Sequence, residues 1–517
     1  MRKTDAFRRA AALVAALSIT VSLAAPAFAE TYYYIDDGDI TITKDENGQT
    51  VKQGNKEAEN IGADEEIIIT THKEVTTTLE SDLEGPAAED TGFGPVVEDN
   101  YQPAQPESTE EPEDADQPES TEEPKGADQP ESTEEPKAAD RQESAEQSEA
   151  ADQQESADRQ AQPQQAAPAA APAASTPGNG FCKNIITVIN NAATALKLTL
   201  KDVKIDVSDT GLENHAGKAA LSVQGEGNVE IELDGKNELK SGYYRAGLEK
   251  NTSAGTLTLK DDNKEAGSGS LNAEGGALSA GIGGSYNGYS ANNGTKNIII
   301  TGGTVTATGG DGAGFGGAGI GGGSDGRNSD SNGKNITITG STVTAKGGNG
   351  SAGIGGGVAG IGEAITITGS TVTATGGVGA AGIGGGCGGY NGNGENITIT
   401  GSRVTATGNS GGAGIGGGER CDGENITITG STVTATGDRG GAGIGGGAGE
   451  SNRGNGNGNN ITITGSTVTA ISNGCGQRGN GGGAGIGGGC NRNGSHITIN
   501  GGTVTAEGGD HGAGIGG

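Results

Sequence analysis

From Asn297 to its last residue the chain writes nearly the same pattern seven times: a strand-like NITITGSTVTA segment, a Gly/Asn-rich loop, then GAGIGGG. The clearest copies open at Asn335, Asn396 and Asn425. A repeat of this length is one supersecondary unit, unable to bury its apolar face until its neighbours stack on it. The Ile that opens each anchor falls at 298, 336, 365, 397, 426, 461 and 497, so the period ranges from 29 to 38 residues. All the variation lies in two loops, one before AGIG and one after GGG, while the strand-like segments keep their length. Loops that absorb insertions around an invariant core are the mark of a solenoid.

Strict alternation sends Ile336, Ile338, Val343 and Ala345 to one side of the chain and Thr337, Thr339, Thr342 and Thr344 to the other. The expected fold is all-β: a right-handed parallel β-helix with three short strands per coil, ITI, TVTA and AGIG. Stacked coils then form inward columns such as Ile338, Ile367, Ile399, Ile428 and Ile463, and Ile354, Ile383, Ile415, Ile444 and Ile486. Each buried Ile or Val contributes ~1.5–3 kcal/mol. With 104 glycines, no Trp and 3% aromatic residues, a core of large side chains is unavailable and a helical bundle is excluded.

Upstream the chain divides by composition. Residues 1–29 read as an export signal: Arg2, Lys3, Arg8 and Arg9, an Ala-rich apolar stretch, then Ala27-Phe28-Ala29 before Glu30. No later segment is apolar enough to span a membrane as a helix, so the expectation is a secreted protein without membrane insertion after cleavage. Residues 30–79 form a β segment with a turn at Asn47-Gly48. From 80 to 177 the chain is acidic and Pro/Glu/Gln/Ala-rich, with QPESTEEP returning every twelve residues from Gln105, which predicts a disordered, extended linker. Residues 178–296 carry alternating strands of irregular length, and 297–517 the regular array. The array breaks off at GAGIGG without a polar cap or sorting signal, so a longer parent protein is expected. The net charge of −33, mostly carried upstream of the array, argues against nucleic acid and anionic lipid as partners.

Five cysteines, Cys182, Cys387, Cys421, Cys475 and Cys490, cannot all pair within the chain, and no CxxC spacing suggests zinc. Cys387 and Cys490 share a register three coils apart, roughly 14 Å, too far for a bridge. Cys387 and Cys421 lie on adjacent coils and are within reach of one; unpaired loop thiols are the favoured expectation.

Two columns are candidate sites. Glu363, Glu395 and Glu424 each precede an anchor and would stand roughly 4.8 Å apart along the stack. Like charges at that spacing repel by about 1 kcal/mol per pair in water, which a divalent cation such as Ca2+ would relieve. The favoured alternative is that they splay into solvent, with Lys334 neutralising one end. The outward Thr344, Thr373, Thr405, Thr434, Thr469 and Thr505 would form a column of hydroxyls able to hydrogen-bond sugars or match an ice lattice; strand propensity alone also accounts for them. Catalysis is not expected. His72, His215, His496 and His511 make no spaced pair, and the GGxGxDxUx calcium nonapeptide is absent. The Gly runs match phosphate loops only as chance predicts.

The run LTLKDVKIDVSDTG…AALSVQGEGNVEIELDGKNELKSG from Leu198, followed by SAGIGG and the NITITGSTVTATGG–GAGIGGG array, resembles secreted carbohydrate-binding, β-helical domain-containing proteins of Gram-positive gut-type bacteria. The resemblance covers residues 30–80 and 184–517. It implies a parallel β-helix at the bacterial surface that binds acidic plant polysaccharide with calcium; the acidic segment 80–177 departs from the family pattern. The residues and the resemblance together point to a non-enzymatic surface protein with a polysaccharide or host or plant glycan as partner. The alternative is a structural stalk or adhesin spacer with no ligand of its own.

Overall fold

In a computed structural model the repeat becomes a stack of coils, each crossing three faces in turn. The structure describes residues 31–62, 65–72, 180–262, 269–288, 292–312, 314–324, 330–389, 391–449, 455–474 and 481–517. The export signal expected at 1–29, the linker expected at 80–177 and Cys475 lie outside the described residues.

The first face carries the ITIT strands, such as Gly333–Thr339, Gly362–Thr368 and Gly394–Thr400. The second carries the TVTA strands Thr342–Lys346, Thr371–Thr375 and Arg403–Thr407. The third is built from two-residue Ile-Gly strands, among them Ile354–Gly355, Ile383–Gly384 and Ile415–Gly416, shorter than the AGIG strand expected. Each strand pairs in parallel with its counterpart one coil on. Ile338 leads in register to Ile367, Ile399, Ile428 and Ile463, and Ile354 to Ile383, Ile415, Ile444 and Ile486. All ten are fully buried. The all-β parallel solenoid expected from the alternation is the fold observed.

Three small devices hold the corners. On the third face Gly384 and Gly416 have φ of 133° and 134°, and a Cβ on Gly384 would overlap the Gly416 carbonyl oxygen. Only glycine serves there, because the backbone conformation and the close approach of the next coil both exclude a side chain. Between the first and second faces, each Gly-Ser makes the turn. The buried Ser402 hydroxyl donates to the Thr400 carbonyl (2.8 Å) and accepts from the Ser370 amide (3.2 Å). Ser341, Ser370 and Ser431 repeat the pattern coil by coil. These bonds satisfy amides that the turn removes from the ladder.

The third device lies in the third residue of each first-face strand, whose backbone is left-handed. Asn297, Asn335, Asn396, Asn425 and Asn460 have φ between 54° and 61°, as do Ala364 at 56° and His496 near it at 53°. Asn is better suited to this region than other residues with a side chain, and its amide is then free to link coils. Asn335 Nδ2 donates to Asn297 Oδ1 (2.9 Å), Asn425 to Asn396 (3.2 Å) and Asn460 to Asn425 (3.2 Å). Ala364 interrupts this ladder.

Residues 31–72 are built into the same solenoid. Ile67–Thr70 pairs in parallel with Leu196–Lys201 on one side and Thr31–Tyr34 on the other. Ile40–Asp45 pairs in parallel with Ile186–Asn190, and its outer edge continues into an antiparallel meander, Gly48–Gln53 and Glu59–Ile61. The third face therefore finishes at this end with antiparallel strands. Where the described chain breaks at His72 and resumes at Gly180, both flanks lie against one strand: Thr71 Oγ1 accepts from the Lys204 amide (3.2 Å), and Cys182 pairs with Ile205.

Candidate functional site

The outer surface of the second face is a grid of hydroxyls. Its middle column runs in register from Thr306 through Thr344, Thr373, Thr405, Thr434 and Thr469 to Thr505. Thr344, Thr373, Thr405, Thr434 and Thr505 are exposed and Thr469 is half-buried. The pleat places a second column one step along each strand, where Thr342, Thr371, Arg403, Thr432 and Thr467 follow one another. On the other side run Thr308, Lys346, Thr375, Thr407 and Thr436. Among the described residues of these three columns between Thr304 and Thr469, Lys346 and Arg403 are the charged side chains, both exposed, and Glu507 follows beyond Ile471. Parallel coils at roughly 4.8 Å and pleat repeats at about 6.6 Å thus give a flat, regular array of donors and acceptors with a weakly cationic character.

Glu363, Glu395 and Glu424 do stand in adjacent register on the first face, between Lys334 and Asn459. Each carboxylate has its own partner. Lys334 Nζ is 2.8 Å from Glu363 Oε2, the Asn393 amide donates to Glu395 (3.0 Å), and the Asn459 amide donates to Glu424 (3.1 Å). Among the described residues no group of three or more His, Cys, Asp or Glu is placed to hold a metal ion. The candidate Ca2+ column is therefore present in register, with Lys334 at one end, and its three carboxylates are bonded to three different neighbours.

Cys182, Cys387 and Cys421 are free thiols. Cys387 and Cys421 sit on adjacent coils without a bridge. They lie in loops, yet Cys421 is fully buried and Cys387 half-buried. Burial and the Glu419 carboxylate, 3.5 Å from Cys387 Sγ, push that thiol up to about 12, and burial does the same for Cys421. His72 bonds Asp36 (2.8 Å) and stacks on Tyr34 at 4.0 Å.

The irregular coils hold features that the repeat pattern does not announce. Tyr243, Tyr244 and Tyr286 pack with His215 at centroid separations of 4.2–5.4 Å, joining loops of successive coils into an aromatic corner. Beside it a groove of about 220 Å³ is lined by Arg245, Glu249, Ser222 and Gln224, with Arg245 and Glu249 ion-paired at 3.2 Å. A larger groove of about 380 Å³ crosses the first face between Tyr32 and Asp262. The one available signal for the aromatic corner was the Tyr243-Tyr244 pair in a chain otherwise poor in aromatics; the grooves left none, since their residues come from separate coils.

No helix among the described residues is long and apolar enough to cross a membrane. A family model described as a beta helix repeat matches residues 267–286, 336–358, 365–387, 397–419, 426–448 and 497–517. No curated protein and no solved structure matches the chain. With these repeat matches and the parallel pairing of successive coils, the chain is a β-helical repeat protein.

Proposed function

We propose that this is a secreted, cell-surface-associated, non-enzymatic protein of a Gram-positive bacterium that binds acidic polysaccharide. The observation that carries the reading is the second-face grid, whose threonine column from Thr306 to Thr469 is flanked by Lys346 and Arg403. Threonine hydroxyls both donate and accept, as sugar hydroxyls do, and two cations among the uncharged side chains of the grid between Thr306 and Thr469 favour a polyanionic chain over a neutral one there. Each contact is weak. A rigid array of identical sites compensates by engaging many residues of one polymer at once. Sequence 1–29 supports export, and the resemblance of the irregular coils supports the bacterial surface.

The test is retention of the full chain on polygalacturonate, with and without chelator. Retention should fall when Thr344, Thr373 and Thr405 are changed together to Val, and again with Lys346→Ala and Arg403→Ala, while the fold is unchanged by circular dichroism. Because Glu363, Glu395 and Glu424 already have partners, chelator should leave retention intact; loss with chelator would return the cation to those residues. A folded protein that binds no glycan would favour a structural stalk, and thermal hysteresis would turn the same grid to ice.

A further inference from the structure

The groove on the first face differs in chemistry from the threonine grid. Five successive strands of that face supply its walls. Tyr32, 41% exposed, forms one end, with Ile68 beside it as an apolar patch. From there the register runs Ile68, Thr199, Glu232, Lys260, one residue per coil. A parallel row adds Lys201 and Asp234, ion-paired at 2.9 Å.

Both lysines of the groove are already committed: Lys201 to Asp234, and Lys260 to Asp262 at 2.6 Å. Thr199 donates its hydroxyl proton to Glu66. Glu232 shares the Lys260 ion pair but keeps one oxygen without a hydrogen bond. Its Oε1 accepts from the Asp262 amide (2.8 Å), but Oε2 is buried without a hydrogen bond, 3.7 Å from Lys260 Nζ. A buried carboxylate oxygen without a donor is costly, and burial, with the nearby Asp262 and Asp261 charges, raises the Glu232 pKa against the pull of the Asp262 amide and Lys260. What the groove lacks is therefore a ligand that donates hydrogen bonds.

We propose that this groove is a second saccharide subsite, specific for an uncharged, hydroxyl-rich oligosaccharide whose ring stacks on Tyr32 and whose hydroxyls donate to Glu232. The inference rests on the reading of the chain as a glycan-binding protein and adds to it a site of opposite preference. Four carboxylates, Glu66, Glu232, Asp234 and Asp262, face two ammonium groups, so a uronate would enter against an excess of negative charge. A pyranose offers what the lining is short of: hydroxyl donors on its rim, and an apolar face for the exposed ring of Tyr32.

The experiment is calorimetric titration of the full chain with neutral gluco-, xylo-, manno- and galacto-oligosaccharides, with oligogalacturonate and with chitosan oligomers as charged arms. At least one neutral series should bind. Tyr32→Ala should weaken it about tenfold and Glu232→Gln severalfold, while Thr344→Val leaves it unchanged. Glu232→Gln keeps the acceptor for the Asp262 amide, so it reports on recognition even if Tyr32→Ala disturbs the edge strand. Absence of neutral binding, indifference to both substitutions, or tighter binding of either charged oligomer would overturn the proposal. Retention on polygalacturonate through Lys346 and Arg403 is read separately, so the grid stands or falls independently of the groove.

Discussion

Ala364 is the weak rung of the asparagine ladder, and replacing it tests whether that ladder stabilises the solenoid. Its backbone is left-handed, with φ of 56°. That conformation costs an ordinary L-residue about 1–2 kcal/mol, of which Asn recovers part through local hydrogen bonding. Register places position 364 between Asn335 and Asn396. Ala364→Asn therefore adds two amide bonds in a row where existing bonds measure 2.9–3.2 Å. At an exposed site each is worth about 0.5 kcal/mol, the low end for such bonds. Together the substitution should stabilise its coil by about 1–2 kcal/mol. Native-state hydrogen exchange of Gly362–Thr368 is the direct readout, because 1.4 kcal/mol is about a tenfold change in an opening constant. Ala364→Gly relieves the backbone without supplying an amide and should give a smaller effect; Asn425→Ala, which breaks two rungs, should accelerate exchange in its own coil. If Asn and Gly at 364 protect equally, or Asn425→Ala changes nothing, the amides contribute nothing and the reasoning fails.

Gly416→Ala should destabilise by more than about 3 kcal/mol, since φ of 134° and overlap with the Gly445 carbonyl act together; a urea midpoint within error of the parent would contradict this. Lys250, 1% exposed, donates from Nζ to Asn251 O, Ser253 O and Ser253 Oγ, and burial, reinforced by Lys296, pushes its pKa down from 10.5 to about 8. Between those values the unfolded chain holds the proton and the folded one does not, so stability rises with pH through that window. Relative to Lys250→Met, the parent should gain about 3 kcal/mol between pH 7 and pH 11, and parallel pH profiles would refute the assignment. The Cys387 and Cys421 thiols, each pushed up to about 12, should resist iodoacetamide at pH 8 in the native state and react on unfolding; prompt native labelling would show that they are not held as thiols.

The stacked core was legible because a two-residue alternation and a conserved strand length together determine which side chains point inward. Ile338 and Val343 could be placed by counting. The corners were less so. Asn at 297, 335, 396, 425 and 460 was visible as a repeated letter, but its role depends on a left-handed backbone that no alternation reports. The buried hydroxyl of Ser402 likewise reads as a surface residue until the turn is built. The glutamate column was correct in register, yet only side-chain geometry shows that Lys334, Asn393 and Asn459 divide its three members among them. The groove at Glu232 was hidden because its residues span Tyr32 to Asp262 without repeating any motif.

The first strands carry a consequence for how the molecule can be cut. Ile67–Thr70 is held between Thr31–Tyr34 and Leu196–Lys201, and both flanks of residues 73–179 rest on Lys204–Asp206. That long acidic sequence is thus topologically an insertion into a coil and not a tether between two bodies. A single proteolytic nick within it should release nothing: the N-terminal piece would stay bound by its strand pairing, co-eluting with the rest until a denaturant is added.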